Sequence, residues 1–177
     1  AIADILTRLQ AINFARKTEH LQWYLPFTPY KPTELNETEI HQRLQACSAL
    51  ERDSQALADQ LPADARDAYF ELVGYPVGIT AAANERYFHT ELARADVVRG
   101  RPSEPDRVKS IDAGKRMAKL TDYYNNDVAG GKWRYIVTEN GISHRDWKRF
   151  QPDTGGVLPQ PNEDNVCPPA ARALGPL

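Results

Sequence analysis

Four stretches of the chain carry apolar residues at every third or fourth position, with proline or glycine between them, and this pattern confines it to a helical fold. From about 3 to 24, Ile5, Leu9 and Ile12 share one stripe, with Leu6 beside it. Pro26, Pro29 and Pro32 follow, and a helix cannot run through them, because proline lacks the amide hydrogen and its ring clashes with the preceding turn. Asn36 or Thr38 then offers an N-cap, with Glu37 and Glu39 where the helix dipole favours acid. Ile40, Leu44, Cys47, Leu50, Leu57 and Leu61 continue as the buried face of a helix of about six turns.

Pro62 opens a third helical region, predicted over 63–98, with Tyr69, Leu72, Val73, Val77, Ala83 and Tyr87 as its apolar positions. Pro76 lies inside it between Gly74 and Gly78. It removes the hydrogen bond to the Leu72 carbonyl, so a kink or short break is expected. A turn over 100–105 leads to a fourth helix, predicted over 104–126, with Ile111, Met117, Leu120 and Tyr124 inward. Gly114 on or near that face would let another helix approach closely. The segment 128–147 is less regular, and at most 135–138 reads as extended. From 151 onward proline and glycine dominate and periodicity vanishes. The expected fold is all-α: an antiparallel helical bundle over 1–150 with a kinked third helix, then an extended proline-rich linker or tail over 151–177.

A chain of 177 residues can bury one self-sufficient core, and its net charge of -2 argues against nucleic acid or an anionic membrane held by bulk electrostatics. The basic run Arg94–Lys119 is interleaved with Asp96, Glu104, Asp106 and Asp112, and reads as an ion-paired helical surface. Cys47 and Cys167 stand far apart, outside any zinc-ligand spacing, and are expected to be free thiols, with a bridge between them the alternative if the chain is exported. No apolar run reaches the length of a membrane span. The chain opens on alanine within a helical pattern and without a signal-like segment, and is expected to be a piece of a longer protein.

Catalytic signatures are absent from this stretch of sequence. The acids fall on helical faces beside Lys and Arg, so none stands out as one of the paired carboxylates that glycosidases hold about 5 to 9.5 Å apart. His20, His41, His89 and His144 form no HExxH pair, and no metal or cofactor is expected. Gly130-Gly131-Lys132 departs from a phosphate loop, with Asn126 where glycine and Trp133 where Ser or Thr are required. Asn36-Glu37-Thr38 matches a glycosylation sequon, but helix capping explains the same residues. Trp23-Tyr24, Tyr123-Tyr124, Trp133, Tyr135 and Trp147 gather at segment ends, where amphipathic rings can anchor an interface or stack on sugars.

Three segments, taken in order and spacing, resemble the helical region of family 115 glycoside hydrolases, the xylan α-glucuronidases. They are 14–23 (FARKTEHLQW), 68–77 (AYFELVGYPV), and Tyr124-Asn125 with 129–133 (AGGKW), His144 and Trp147; together they span about 5–152. Thr18 stands where the family often has proline, and 135–137 replaces a methionine-rich run. The resemblance implies a parent enzyme that removes glucuronic or 4-O-methylglucuronic acid from xylan, outside the cytoplasm. It also implies that the catalytic carboxylates lie on a preceding barrel and that a β-sandwich follows. None of those catalytic positions matches a residue here, so this chain alone is expected to be inactive. Its partners would be the barrel and sandwich domains, with xylan the parent's substrate and a homodimer contact open. The surface expected to matter is the turn Gly130, Gly131, Lys132 and Trp133 with His144 and Trp147. The rival expectation is a freestanding helical module that binds carbohydrate or protein through its aromatic ends.

Overall fold

The computed structural model describes residues 1–16, 21, 33–134, 136 and 137; the expected tail over 151–177 and the segment around Trp23 lie outside them. The described residues are helical, with no strand among them. The elements are α1 (Ile2–Ala15), α2 (Glu37–Ala58), α3 (Ala63–Tyr69), a π-helical turn (Phe70–Gly74), α4 (Tyr75–Val98), α5 (Glu104–Asn126) and a 3-10 turn (Val128–Gly131).

Asn36 caps α2. Its Oδ1 accepts from the Glu39 amide at 3.0 Å, while Glu39 Oε2 accepts from the Asn36 amide at 2.8 Å. Two of the donors a helix start leaves unpaired are thus satisfied reciprocally. The expected face of α2 is the one it buries, with Ile40, Leu44, Cys47 and Leu50 inside and Leu57 and Leu61 half-covered against the core.

The core has two ends. Ile5 and Leu9 of α1 pack with Leu50, Tyr69, Val73 and Val77 at one, and Ile40 and Leu44 pack with Tyr87, Phe88 and Leu92 at the other. Cross-helix bonds fix antiparallel neighbours in the order α1, α2, α4, α5. Arg8 meets Asp53 at 2.6 Å, and Arg43 spans two helices, donating to Asn84 Oδ1 at 2.6 Å and to the Ile12 and Arg16 carbonyls at 3.2 and 2.9 Å. Those carbonyls belong to the open C-terminal end of α1, so one cation both caps α1 and satisfies the fully buried Asn84.

At Pro76, where the sequence points to a kink or short break, α3 gives way to the π-helical turn before α4: helical dihedrals persist through Gly74 and Tyr75 while the turn widens. The Tyr75 amide reaches the Phe70 carbonyl, a five-residue bond that accommodates the missing proline donor without ending the helix. Tyr69, Val73 and Val77, four apart, stay inward across this turn. Leu72 was expected inward but is 68% exposed, because the widened turn rotates it away from the core.

The face of α5 is also corrected. Ser110, Ala113, Gly114, Thr121 and Asn125 form its buried line, while Ile111, Met117, Leu120 and Tyr124 flank it, partly exposed. Small side chains hold the seam because α4 lies close: a methyl group added to Gly78 would come within 3.1 Å of Leu120. Polar bonds stitch the same seam. Thr90 and Ser110 hydroxyls lie 2.7 Å apart and both approach the Arg86 carbonyl at 2.8 Å, so one donates to the carbonyl and the other to its partner.

Candidate functional site

The turn expected to matter sits where α5 ends, against α3 and the π-helical turn. Ala129, Gly130 and Gly131 all adopt left-handed backbone, with φ of 52, 66 and 79°. Reversal this tight requires it: a side chain at Gly131 would stand 2.9 Å from the Asn126 carbonyl at the end of α5. Ala129 is the one non-glycine residue with positive φ among the described residues, a conformation that costs about 1–2 kcal/mol.

Two carboxylates of the neighbouring helix hold the turn in that shape. Asp67 Oδ2 accepts from the Ala129 amide at 2.9 Å, and Glu71 Oε2 accepts from the Trp133 indole at 3.0 Å. Lys132 lies with its ammonium 4.5 Å from the Trp133 ring centroid, on the ring's electron-rich face. Behind the turn, the buried Asn125 side chain donates to the Val137 carbonyl at 2.7 Å and accepts from the Val137 amide at 3.1 Å. Val128 beneath it is fully buried.

Of the six residues singled out from the sequence, Gly130, Gly131, Lys132 and Trp133 therefore form one unit; His144 and Trp147 lie outside the described residues. Gly130 and Lys132 are exposed, and Trp133 is half-buried with its only polar atom already engaged. Sequence reading missed the residues that hold the turn: Asp67, Glu71 and Asn125. Their one signal was the spacing of Asp67 and Glu71, four apart on a helical face, which looks the same as any solvated acidic pair.

Beside the turn, Phe70, Tyr75, Tyr123 and Tyr124 form an aromatic cluster joining the π-helical turn to α5. Phe70 meets Tyr123 edge-on at 4.8 Å, and Tyr75 meets Tyr124 at 4.6 Å. Phe70, Gly74 and Tyr123, with Gln55 of α2 and Asp59 just after it, border a groove of about 340 Å³.

Nearby carboxylates are tied into structure. Glu51 of α2 and Glu85 of α4 share Arg116 of α5 at 3.4 and 3.0 Å. Burial pushes the Glu51 carboxyl above its ordinary range, and Arg116 pulls it back. Arg116 thus bridges the two acids. Among the described residues no cluster of three or more His, Cys, Asp or Glu could hold a metal ion, and no helix is long and apolar enough to cross a membrane.

No protein-family model matches the chain, and no curated protein does. Among solved structures, a family 115 4-O-methyl-α-glucuronidase with specificity for decorated arabinogalactans matches with a TM-score of 0.61 and 27% identity. The match covers 89% of this chain and 20% of that one, so the chain spans about a fifth of the neighbour's length. The chain thus has a fold like that of a helical part of a family 115 glucuronidase.

Proposed function

We propose that this chain is the non-catalytic helical module of an α-glucuronidase that releases glucuronic or 4-O-methylglucuronic acid from polysaccharide side chains. The observation that carries the reading is the likeness to a solved 4-O-methyl-α-glucuronidase over 89% of this chain but only 20% of the neighbour. In this reading the catalytic carboxylates lie on a barrel elsewhere in the parent. The bundle packs against that barrel and a β-sandwich, with a homodimer contact as a further use of its surface.

The turn from Ala129 to Trp133 is the surface we assign to the module's contacts. It is built from strained backbone held by Asp67 and Glu71, and it presents Gly130 and Lys132 outward. A pre-shaped turn suits docking against another folded domain, because little ordering entropy remains to be lost. The polysaccharide is xylan by the resemblance of the sequence, whereas the solved neighbour acts on decorated arabinogalactans.

Sequencing the gene on both sides of this segment tests the reading. An open frame that continues upstream into a barrel with paired carboxylates is the expected result. The full enzyme should then release 4-O-methylglucuronate from glucuronoxylan or from a decorated arabinogalactan, and comparing the two assigns the polysaccharide. Release of the same sugar by the purified 177-residue chain would overturn the non-catalytic assignment. A start codon directly before Ala1 with a stop after Leu177 would overturn the module.

A further inference from the structure

On the face of the bundle between α2, α4 and the start of α5 lies a second groove, of about 300 Å³. His41, Ser48 and Arg52 border it from α2, Glu85 and His89 from α4, and Lys109 from α5. Four of these six side chains can carry positive charge.

His89 is the built element. Only 9% exposed, it is held by a 2.7 Å bond between its Nδ1 and Asp106 Oδ1 of α5. Asp106 therefore fixes the tautomer with the proton on Nδ1, and Nε2, on the far edge of the ring, is the nitrogen available to the groove. Among the described residues Nε2 has no protein partner. Arg52 donates to Ser48 Oγ at 3.1 Å and meets no carboxylate among the described residues. Lys109 approaches Asp106 only at 3.9 Å and is 60% exposed. The one acid bordering the groove, Glu85, lies 3.0 Å from Arg116, which it shares with Glu51. Arg52 of α2 and Lys109 of α5 thus present positive charge to one concavity, with Ser48 and His89 offering polar atoms beside them.

We propose that this groove binds a carboxylate-bearing sugar, a uronate, with Arg52 and Lys109 on the carboxylate and Ser48 and His89 on neighbouring oxygens. The planar guanidinium matches a carboxylate in two parallel bonds, and the groove is wide enough for one sugar ring. The choice of uronate over other anions rests on the glucuronidase reading; the anion site itself rests only on the groove. Burial holds the His89 proton affinity below the ordinary histidine range, so Nε2 is an acceptor at neutral pH and becomes a charged donor on acidification. Asp106, Glu85 and the bound anion favour that proton, whereas Lys109 opposes it. Affinity therefore rises as pH falls through the His89 transition.

The test is an NMR titration of the isotope-labelled chain with glucuronate, a glucuronoxylo-oligosaccharide, glucose and inorganic phosphate, at about pH 5.5 and about pH 7.5. Glucuronate is expected to bind on the order of millimolar, the level a ligand of about a dozen heavy atoms reaches at ordinary efficiency, shifting His89 and Arg52 resonances. Binding should be severalfold tighter at the lower pH, and Arg52→Gln should weaken it by about tenfold. His89→Gln should abolish the pH dependence. Should that variant fold poorly, the exposed Arg52→Gln and Lys109→Gln carry the result. Equal response to glucose, an unchanged affinity in Arg52→Gln, or shifts confined to other faces would overturn the site. Binding of phosphate but not of glucuronate would overturn the uronate assignment. Binding by the oligosaccharide alone, with the same Arg52 dependence, assigns the site to polymer side chains rather than free product. None of these results depends on finding a barrel in the gene, so the site and the module reading fail separately.

Discussion

Substituting alanine along the 129–131 turn separates backbone strain from steric contact, since all three residues share left-handed dihedrals but differ in surroundings. Gly130→Ala places a methyl group in open space, so its cost is the left-handed penalty of about 1–2 kcal/mol. Alanine's smaller unfolded-state entropy offsets about 0.4–1 kcal/mol of that, leaving a net loss near 1 kcal/mol. Gly131→Ala carries the same terms and adds a 2.9 Å contact with the Asn126 carbonyl. That carbonyl is backbone at the end of α5 and cannot swing aside, so overpacking adds roughly 1–3 kcal/mol. The net loss is about 2–4 kcal/mol, a fall in Tm of roughly 5–15 °C for a chain this size. Ala129→Gly runs the other way, relieving strain at φ 52° against a similar entropic loss, and should be neutral to slightly stabilising. Urea unfolding followed by tryptophan fluorescence and by far-UV dichroism measures all three. If the two alanine variants lose the same small amount, the turn opens independently of the bundle and the reasoning is wrong.

The same turn yields a double-mutant cycle. Trp133→Phe and Glu71→Ala should show a coupling of about 1–1.5 kcal/mol for their 3.0 Å bond, and additivity would mean the bond contributes nothing. Asn36→Ala removes the cap of α2 and should cost about 1 kcal/mol by thermal unfolding, whereas a value within error would discount the capping box. Cys47 is 1% exposed, and burial pushes its thiol up to about 11. At about pH 8 only roughly one molecule in a thousand carries the thiolate, so in a Cys167→Ser variant a thiol reagent should label Cys47 only on unfolding; stoichiometric labelling of that folded variant would contradict the packing. For His89, a depressed proton affinity in the fold means full stabilisation above about pH 6.5 and loss as pH falls below it. His89→Gln should flatten that decline in a pH series of urea midpoints, and an unchanged slope would refute the linkage.

The helices were legible because their apolar spacing and their punctuation agree. The Asn36–Glu39 box and Pro62 each do locally what the fold needs globally, whereas α1 ends at Ala15, well before the prolines that the sequence offers as its stop. Two features resisted reading for physical reasons. Pro76 announces a lost hydrogen bond, but whether the chain breaks or widens its previous turn depends on Tyr69, Val73 and Val77 staying in the core, which is a tertiary constraint. On α5, hydrophobic spacing pointed to Leu120 and Tyr124. The closest approach of α4 instead demanded small residues, and Ser110 and Thr121 are interior only because Thr90 and Tyr75 supply partners. Polar residues that pair across helices leave no periodic trace. The turn was visible through Gly130, Gly131 and Trp133, whereas its supports Asp67 and Glu71 sit some sixty residues earlier and join it only in space.

These supports bear on what the turn can do. A tryptophan that recognises a sugar needs an exposed face and freedom to settle on the ring, but Trp133 is half-buried, its indole donor is held by Glu71, and the Lys132 ammonium lies against its ring. A partner stacking there would have to displace the ammonium or leave a carboxylate half-buried without its donor, and either loss is comparable with what one stacked ring gains. A protein surface meets no such conflict, because it can accept the turn as it stands and use Lys132 and the exposed Gly130 backbone at its edge. The arrangement therefore favours a fixed domain contact at the turn. Saccharide recognition by these helices falls to the His89–Arg52 groove on another face, where Arg52 meets no carboxylate among the described residues.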